Sequence, residues 1–204
     1  QNPQFTVEEI KAITQTANDY GMHVAAHAHG NEGMQRAVLG GVKTIEHGTL
    51  MSEKTMDLMI AHDAYLVPTM TAGKEVSEKA KIKGFYPELI VPKALEIGPK
   101  IQSTFAKAYK KGVKIAFGTD AGVFDHGKNG KEFGYMVEVG MPVTKAIQSA
   151  TIVNAKLLKM DAEIGTIEVG KMADIIAVNQ NPKQNVHTME NVSFVMKNGV
   201  VYKQ

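Results

Sequence analysis

The chain has 204 residues, a formal net charge of +2, seven histidines and no cysteine. So small a positive charge makes no case for nucleic acid, and without thiols any metal must rest on His, Asp or Glu and no disulfide can form. Charged residues at 22% and apolar residues at 44% suit an ordinary globular protein, and no apolar run approaches the roughly 20 residues that span a bilayer. No signal peptide is visible and the chain opens on Gln1 rather than methionine. The composition therefore fits the cytoplasm and the periplasm equally well.

In chain order, Gln4 to Tyr20 reads as a helix. Thr6 is placed to cap it, Glu9 to complete a capping box, and Ile10, Ile13 and Ala17 to share one face, with Gly21 as the stop. Met22 to His27 reads as a strand, Asn31 to Leu39 as a helix closed by Gly40 and Gly41, and Val42 to His47 as a second strand. Ser52 caps a helix that runs to about His62, and Ala64 to Pro68 is a third strand. Residues 70–92 read as irregular, with Gly73, Gly84, Pro87 and Pro92 as breakers. So long a segment is expected to be a lid or a plain surface excursion, and its lysines Lys79, Lys81 and Lys83, with no interleaved aromatics, belong to a solvated loop. Pro92 to Lys111 reads as a helix stopped by Gly112, Val113 to Phe117 as a fourth strand, and Thr144 to Leu158 as helical with a break near Thr151.

Strand then helix, four times over, implies a parallel sheet with helical crossovers. The strands are short apolar runs without clean alternation, as when both faces are covered. After Ala162 the pattern changes to short strands and turns, from Gly165 to Val178, Val192 to Met196 and Val200 to Tyr202, with Asn198-Gly199 as a two-residue hairpin turn.

In parallel α/β folds the chemistry sits at the C-terminal ends of the strands. Here those ends carry His27, His47, Thr69 and Asp120. A lone histidine is usually structural, and a lone aspartate in Gly118-Thr-Asp-Ala-Gly122 is usually a turn or helix cap. Three metal-compatible side chains at the same topological position on separate strands point instead to a metal centre. His and carboxylate ligands suit zinc, manganese or iron, and such an ion lowers the pKa of bound water from about 15.7 toward roughly 7.

His27-Ala-His-Gly, Thr44-Ile-Glu-His47-Gly, Phe117-Gly-Thr-Asp120-Ala-Gly and Gly165-Thr-Ile-Glu-Val-Gly-Lys-Met-Ala-Asp-Ile-Ile together resemble the amidohydrolase superfamily. The likeness is strongest to its imidazolonepropionase-like branch, which includes Xaa-Pro dipeptidases (prolidases), and it extends over essentially the whole chain. It implies a (β/α)8 barrel with a small β-sandwich. Residues 1–160 form the C-terminal half of the barrel and 161–204 the C-terminal strands of the sandwich. By resemblance His27 and His47 are the metal histidines of the fifth and sixth strands, and Asp120 at the eighth binds metal and is the catalytic base. His29 is the rival of His27. The interval of 20 residues from His27 to His47 fits the branch, so His29 is expected to face the substrate, as is His126, with Asn129 and Glu132 near it. Lys171 and Asp174 are expected to be structural.

The resemblance also implies a first-strand His-x-His pair and a carboxylated lysine bridging two metals, and neither has a match. A full barrel takes about 250 residues and only four units are present. The N-terminal half is therefore expected to be absent from this chain, to be supplied by another polypeptide, or to be replaced by self-association. The expected activity of the complete protein is hydrolysis of an amide or peptide bond, of Xaa-Pro type, with a binuclear divalent-metal centre, most readily zinc, and a dipeptide or other small-molecule substrate. The alternatives are a cyclic-amide, lactone or organophosphate hydrolase, or a noncatalytic piece that assembles with an N-terminal half. No nucleic acid or membrane partner is expected.

Overall fold

The computed structural model describes residues 2–204. They form two compact units, one ending at Ile115 and the other covering Ala116–Gln204.

The first unit opens with α1 (Val7–Asp19), whose start is the expected capping box. The Thr6 hydroxyl accepts from the Glu9 amide at 3.2 Å and the Glu9 carboxylate accepts from the Thr6 amide at 2.8 Å. Strand β1 (Ala25–Ala28), α2 (Asn31–Leu39), β2 (Thr44–His47), α3 (Glu53–Ala61) and β3 (Tyr65–Val67) follow in the expected order. Ser52 caps α3 through the Thr55 amide. Then come α4 (Met70–Lys79), α5 (Val91–Lys111) and β4 (Lys114–Ile115). The four strands make one parallel sheet in the order β1-β2-β3-β4. Met34 and Val38 of α2, Ile45 of β2, Met56 and Met59 of α3, Leu66 of β3 and Phe105 of α5 are at most 1% exposed and form its packed centre.

Two expectations for this unit need correction. Residues 70–79 are helical, not irregular, and form α4 with Met70, Thr71, Ala72, Gly73 and Ser77 buried. Gly73 is no breaker, because a Cβ there would lie 2.8 Å from Ile101 Cγ2, so glycine lets α4 approach α5. Gly98 does the same from the other side, where a Cβ would meet the Ser77 hydroxyl at 2.6 Å. Ser77 Oγ donates to the Ala94 carbonyl at 2.8 Å and accepts from the Gly98 amide at 2.9 Å, one residue before Pro99 inside α5. A hydroxyl inserted beside a proline in this way serves helix groups that the ladder leaves short. The second is strand length: β1 begins at Ala25 and β4 has only two residues, because pairing starts at Ala25 with Thr44 and at Tyr65 with Lys114. In α1, Ile13 shares the apolar side with buried Ile10 as expected and is 45% exposed.

The second unit carries α6 (Lys131–Glu138), α7 (Val143–Gln148), a π-helical stretch Ser149–Val153 and α8 (Asn154–Leu157). The π stretch is the expected break near Thr151, and α6 is an added helix. An antiparallel sheet of β5 (Ile175–Val178), β6 (Val192–Lys197) and β7 (Val200–Lys203) follows, with a 3-10 turn at Val186–Glu190 before β6. Asn198 and Gly199 both take positive φ, 49° and 78°, as the two-residue hairpin turn requires. Asp174 braces that turn. It accepts from the Asn198 amide at 2.8 Å and pairs with Lys197, and these contacts hold its carboxyl below the usual range. Residues 165–174 are bends, a turn at 169–170 and irregular backbone rather than strand, tied by Lys171 Nζ to the Asp161 carbonyl and the Thr166 hydroxyl at 2.7 and 2.6 Å. Among the described residues no helix is long and apolar enough to cross a membrane.

Candidate metal centre

Parallel pairing sets the geometry. In register, His27 lies beside Glu46 and Ala28 beside His47, so the two histidines sit at neighbouring strand ends. His27 Nδ1 and His47 Nε2 face each other at 2.9 Å. Two nitrogens on one tetrahedral zinc, each at about 2.0–2.1 Å, stand roughly 3.3 Å apart. A side-chain shift of a few tenths of an ångström thus turns this pair into two ligands, and the donor set fits the ion that the sequence implies.

The other ring nitrogen of His47 is held as well, with Nδ1 2.6 Å from the Thr69 hydroxyl. Burial, and then the neighbouring His27, push the His47 pKa down to about 4. His47 is therefore neutral across the ordinary pH range, which is the form that offers a lone pair to a metal. Its backbone has φ 70°, and Thr69 has φ 49°. Left-handed backbone at two non-glycine residues on adjacent strand ends costs on the order of 1–3 kcal/mol each.

The structure also brings His29 to this point. Its donor atom lies within 4.8 Å of those of His27 and His47, and its ring stacks on His47 with centroids 4.9 Å apart. His29 Nδ1 is 2.8 Å from the Thr49 hydroxyl. The three imidazoles thus form one cluster in which His27 and His47 are the facing pair and His29 flanks them. His27 is exposed and the other two are half-buried. Beside them runs a groove of about 540 Å³ along β1, lined by apolar side chains including Phe5, Ile10, Ile13 and Val24.

Asp120 and His126 belong to the second unit and are both exposed. Asp120 has φ 57°, and its carbonyl accepts from the Val123 amide at 3.3 Å in a tight turn. Asn154 holds the segment leading into it: its side chain accepts from the Phe117 amide at 3.2 Å and donates to the Phe117 carbonyl at 2.9 Å. Sequence reasoning missed this clamp, although an asparagine in the apolar run Ile152-Val-Asn-Ala was a usable signal. Past Asp120, Asn129 donates to the Thr119 hydroxyl at 2.8 Å. Glu132 is fully buried in α6. Of the remaining histidines, His62 caps the end of α3, and His187 is exposed and bonded to Glu190 at 2.7 Å.

Comparison with known proteins fits this arrangement. Residues 1–202 match the amidohydrolase family. The chain belongs to that family. Among solved structures, this chain is similar to a Xaa-Pro dipeptidase with methionine bound in its active site, at 58% identity and a TM-score of 0.97, over 100% of this chain and 50% of that one. It is similar to a prolidase complexed with N-methylphosphonate-L-proline, at 31% identity and a TM-score of 0.88, over 98% and 50% of the two chains. The ochratoxinase of Aspergillus niger is 31% identical over 206 residues, which cover 98% of this chain and 42% of that protein. The chain spans about half the length of the relatives it matches. Its four-stranded parallel sheet and small antiparallel sheet match half of an amidohydrolase barrel fold.

Proposed function

We propose that the complete protein hydrolyses a C–N bond in a small amide or peptide, with Xaa-Pro dipeptides as the leading substrates. The observation that carries this reading is the facing pair His27 Nδ1 and His47 Nε2 at neighbouring strand ends, in a chain so similar to a Xaa-Pro dipeptidase. We assign residues 1–160 to the barrel and 161–204 to the small β domain.

His27 and His47 are the metal ligands in this reading, with zinc the best match to their chemistry. A divalent ion held there supplies Lewis acidity and an acidified water. Asp120 is assigned as the third ligand and the base on its sequence motif. Its carboxylate takes the proton of the attacking water and delivers it to the leaving nitrogen, because an amine leaves poorly unless protonated. His29 flanks the pair and contacts the substrate, and His126 binds the substrate's polar end. A binuclear centre needs more donors than these, and we place them on a further set of barrel strands. Those strands come from the rest of a longer polypeptide, from a separate chain or from a second copy. The apolar groove along β1 and the exposed Ile13 support a missing neighbour there.

The test is a substrate panel on the full-length parent and on the 204-residue chain, each loaded with zinc. It spans Xaa-Pro and other dipeptides, N-acyl amino acids, lactones and imidazolone propionate. The parent should turn over Xaa-Pro dipeptides, and the chain alone should show little activity and should self-associate. Turnover confined to the non-peptide compounds rejects the dipeptidase reading, and an active monodisperse monomer of this chain rejects the need for a second half.

A further inference from the structure

Thr69 has no role in the reading above, yet its position demands a reason. It is 3% exposed, it follows Pro68 two residues beyond the end of β3, and its φ is 49°. A β-branched residue in the left-handed region is a genuine outlier, and glycine or asparagine adopts that backbone far more readily. What threonine supplies there is a hydroxyl, and that hydroxyl lies 2.6 Å from His47 Nδ1.

The neighbouring strand repeats the device. Thr49 lies two residues beyond the end of β2, is 2% exposed, and places its hydroxyl 2.8 Å from His29 Nδ1. In both cases a histidine at one strand end has its Nδ1 held by a buried threonine from the end of the next strand. A neutral imidazole carries one proton, and the nitrogen that holds it is set by the hydrogen bond the ring makes. Were the proton on Nε2, His47 could not offer that atom toward His27 as a ligand.

We propose that Thr69 is a positioning residue: its hydroxyl accepts from His47 Nδ1–H, fixing the tautomer whose Nε2 lone pair points at His27 Nδ1, and Thr49 does the same for His29. The proposal rests on His47 being a metal ligand. Groups that orient a metal-bound histidine in this way change metal affinity by about 10–100-fold when removed.

The experiment uses the full chain in two arms. In the first, with no metal added, long-range proton–nitrogen correlation spectra of ¹⁵N-histidine-labelled protein are recorded at about pH 7.5, above the ordinary histidine pKa of about 6.5. His47 should appear as the Nδ1–H tautomer. Thr69→Val, which keeps the shape but lacks the hydroxyl, should move it toward Nε2–H. Thr69→Ser should restore the parent signature, and Thr49→Val should change His29 and leave His47 as it is. In the second arm, cobalt(II) affinity is measured by chelator competition. Thr69→Val should lose about 10–100-fold, with Thr69→Ser close to the parent. A parent His47 in the Nε2–H form overturns the proposal, as does a folded Thr69→Val with an unchanged tautomer, or equal losses in the Val and Ser variants. Failure of the parent chain to bind cobalt counts against the ligand assignment alone, because the tautomer arm decides the role of Thr69 without metal.

Discussion

Gly98→Ala tests the close approach of α4 and α5, the packing that seats the segment just after Thr69. Two effects oppose each other. Alanine is favoured over glycine inside a helix by about 0.8–1.0 kcal/mol. Against this, the new Cβ would stand 2.6 Å from the Ser77 hydroxyl and 3.2 Å from the Gly73 carbonyl oxygen, which is backbone and cannot swing away. Overpacking of this kind costs about 1–3 kcal/mol. Displacing the Ser77 hydroxyl from the Ala94 carbonyl and the Gly98 amide adds about 0.5–1.5 kcal/mol for each bond. The net expectation is a destabilisation of roughly 1–5 kcal/mol once the helix gain is subtracted. For a chain of this size each kcal/mol lowers the melting temperature by about 2–4 °C. Urea titrations of the parent, Gly98→Ala, Ser77→Ala and the double variant complete a cycle. The double variant should be more stable than Gly98→Ala alone, because removing the hydroxyl makes room for the Cβ. A Gly98→Ala chain more stable than the parent by about 1 kcal/mol would refute the packing argument, since only the helix-propensity gain would then be acting.

Two further predictions concern the site. In the full-length parent, His27→Ala and His47→Ala should each lose most of the bound divalent metal, whereas His29→Ala should keep it and weaken substrate binding. Metal analysis beside KM decides this, and metal loss that follows His29 while sparing His27 reverses the roles of the two residues. Asp120→Asn keeps the shape and one oxygen donor but cannot take a proton, so turnover should fall by at least about 100-fold, the low end of general acid–base contributions. Metal content should fall much less. A variant with near-native turnover moves the proton shuttle away from Asp120.

What could be read from the sequence was set by chemistry acting over a few residues. The Thr6–Glu9 box, the Ser52 cap and the Asn198-Gly199 turn each complete themselves within four residues, so their letters suffice. The parallel strand–helix repeat and the pairing of His27 with His47 at neighbouring strand ends were legible because the parallel register leaves side chains of a repeated type at repeated strand ends. Helix α4 was not legible, because Gly73 looks like a breaker until Ile101, 28 positions later, is seen against it. Helix α6 starts at Gly130 with no side-chain cap to announce it. The threonine contacts to His29 and His47 span 20 and 22 positions, and the Asn154 clamp on Phe117 spans 37. A local pattern can flag one member, as Asn154 in its apolar run does, but it does not name the distant partner. Ile13 shows the reverse case, where the helical period marks a buried face that this unit alone does not cover.

Strand β1 lies at the border of its sheet, and its third residue is His27. A parallel strand that pairs on that open side stands about 4.8 Å away and sets its own last residues next to the three imidazoles. In the proposed function, recruitment of a neighbour and completion of the metal centre are then a single event. Exchanging the neighbour for one from a related sequence would recast half of the pocket wall while leaving every residue of this chain untouched. On that proposal, substrate preference is a property of the pairing, to be varied by mixing halves as readily as by point substitution.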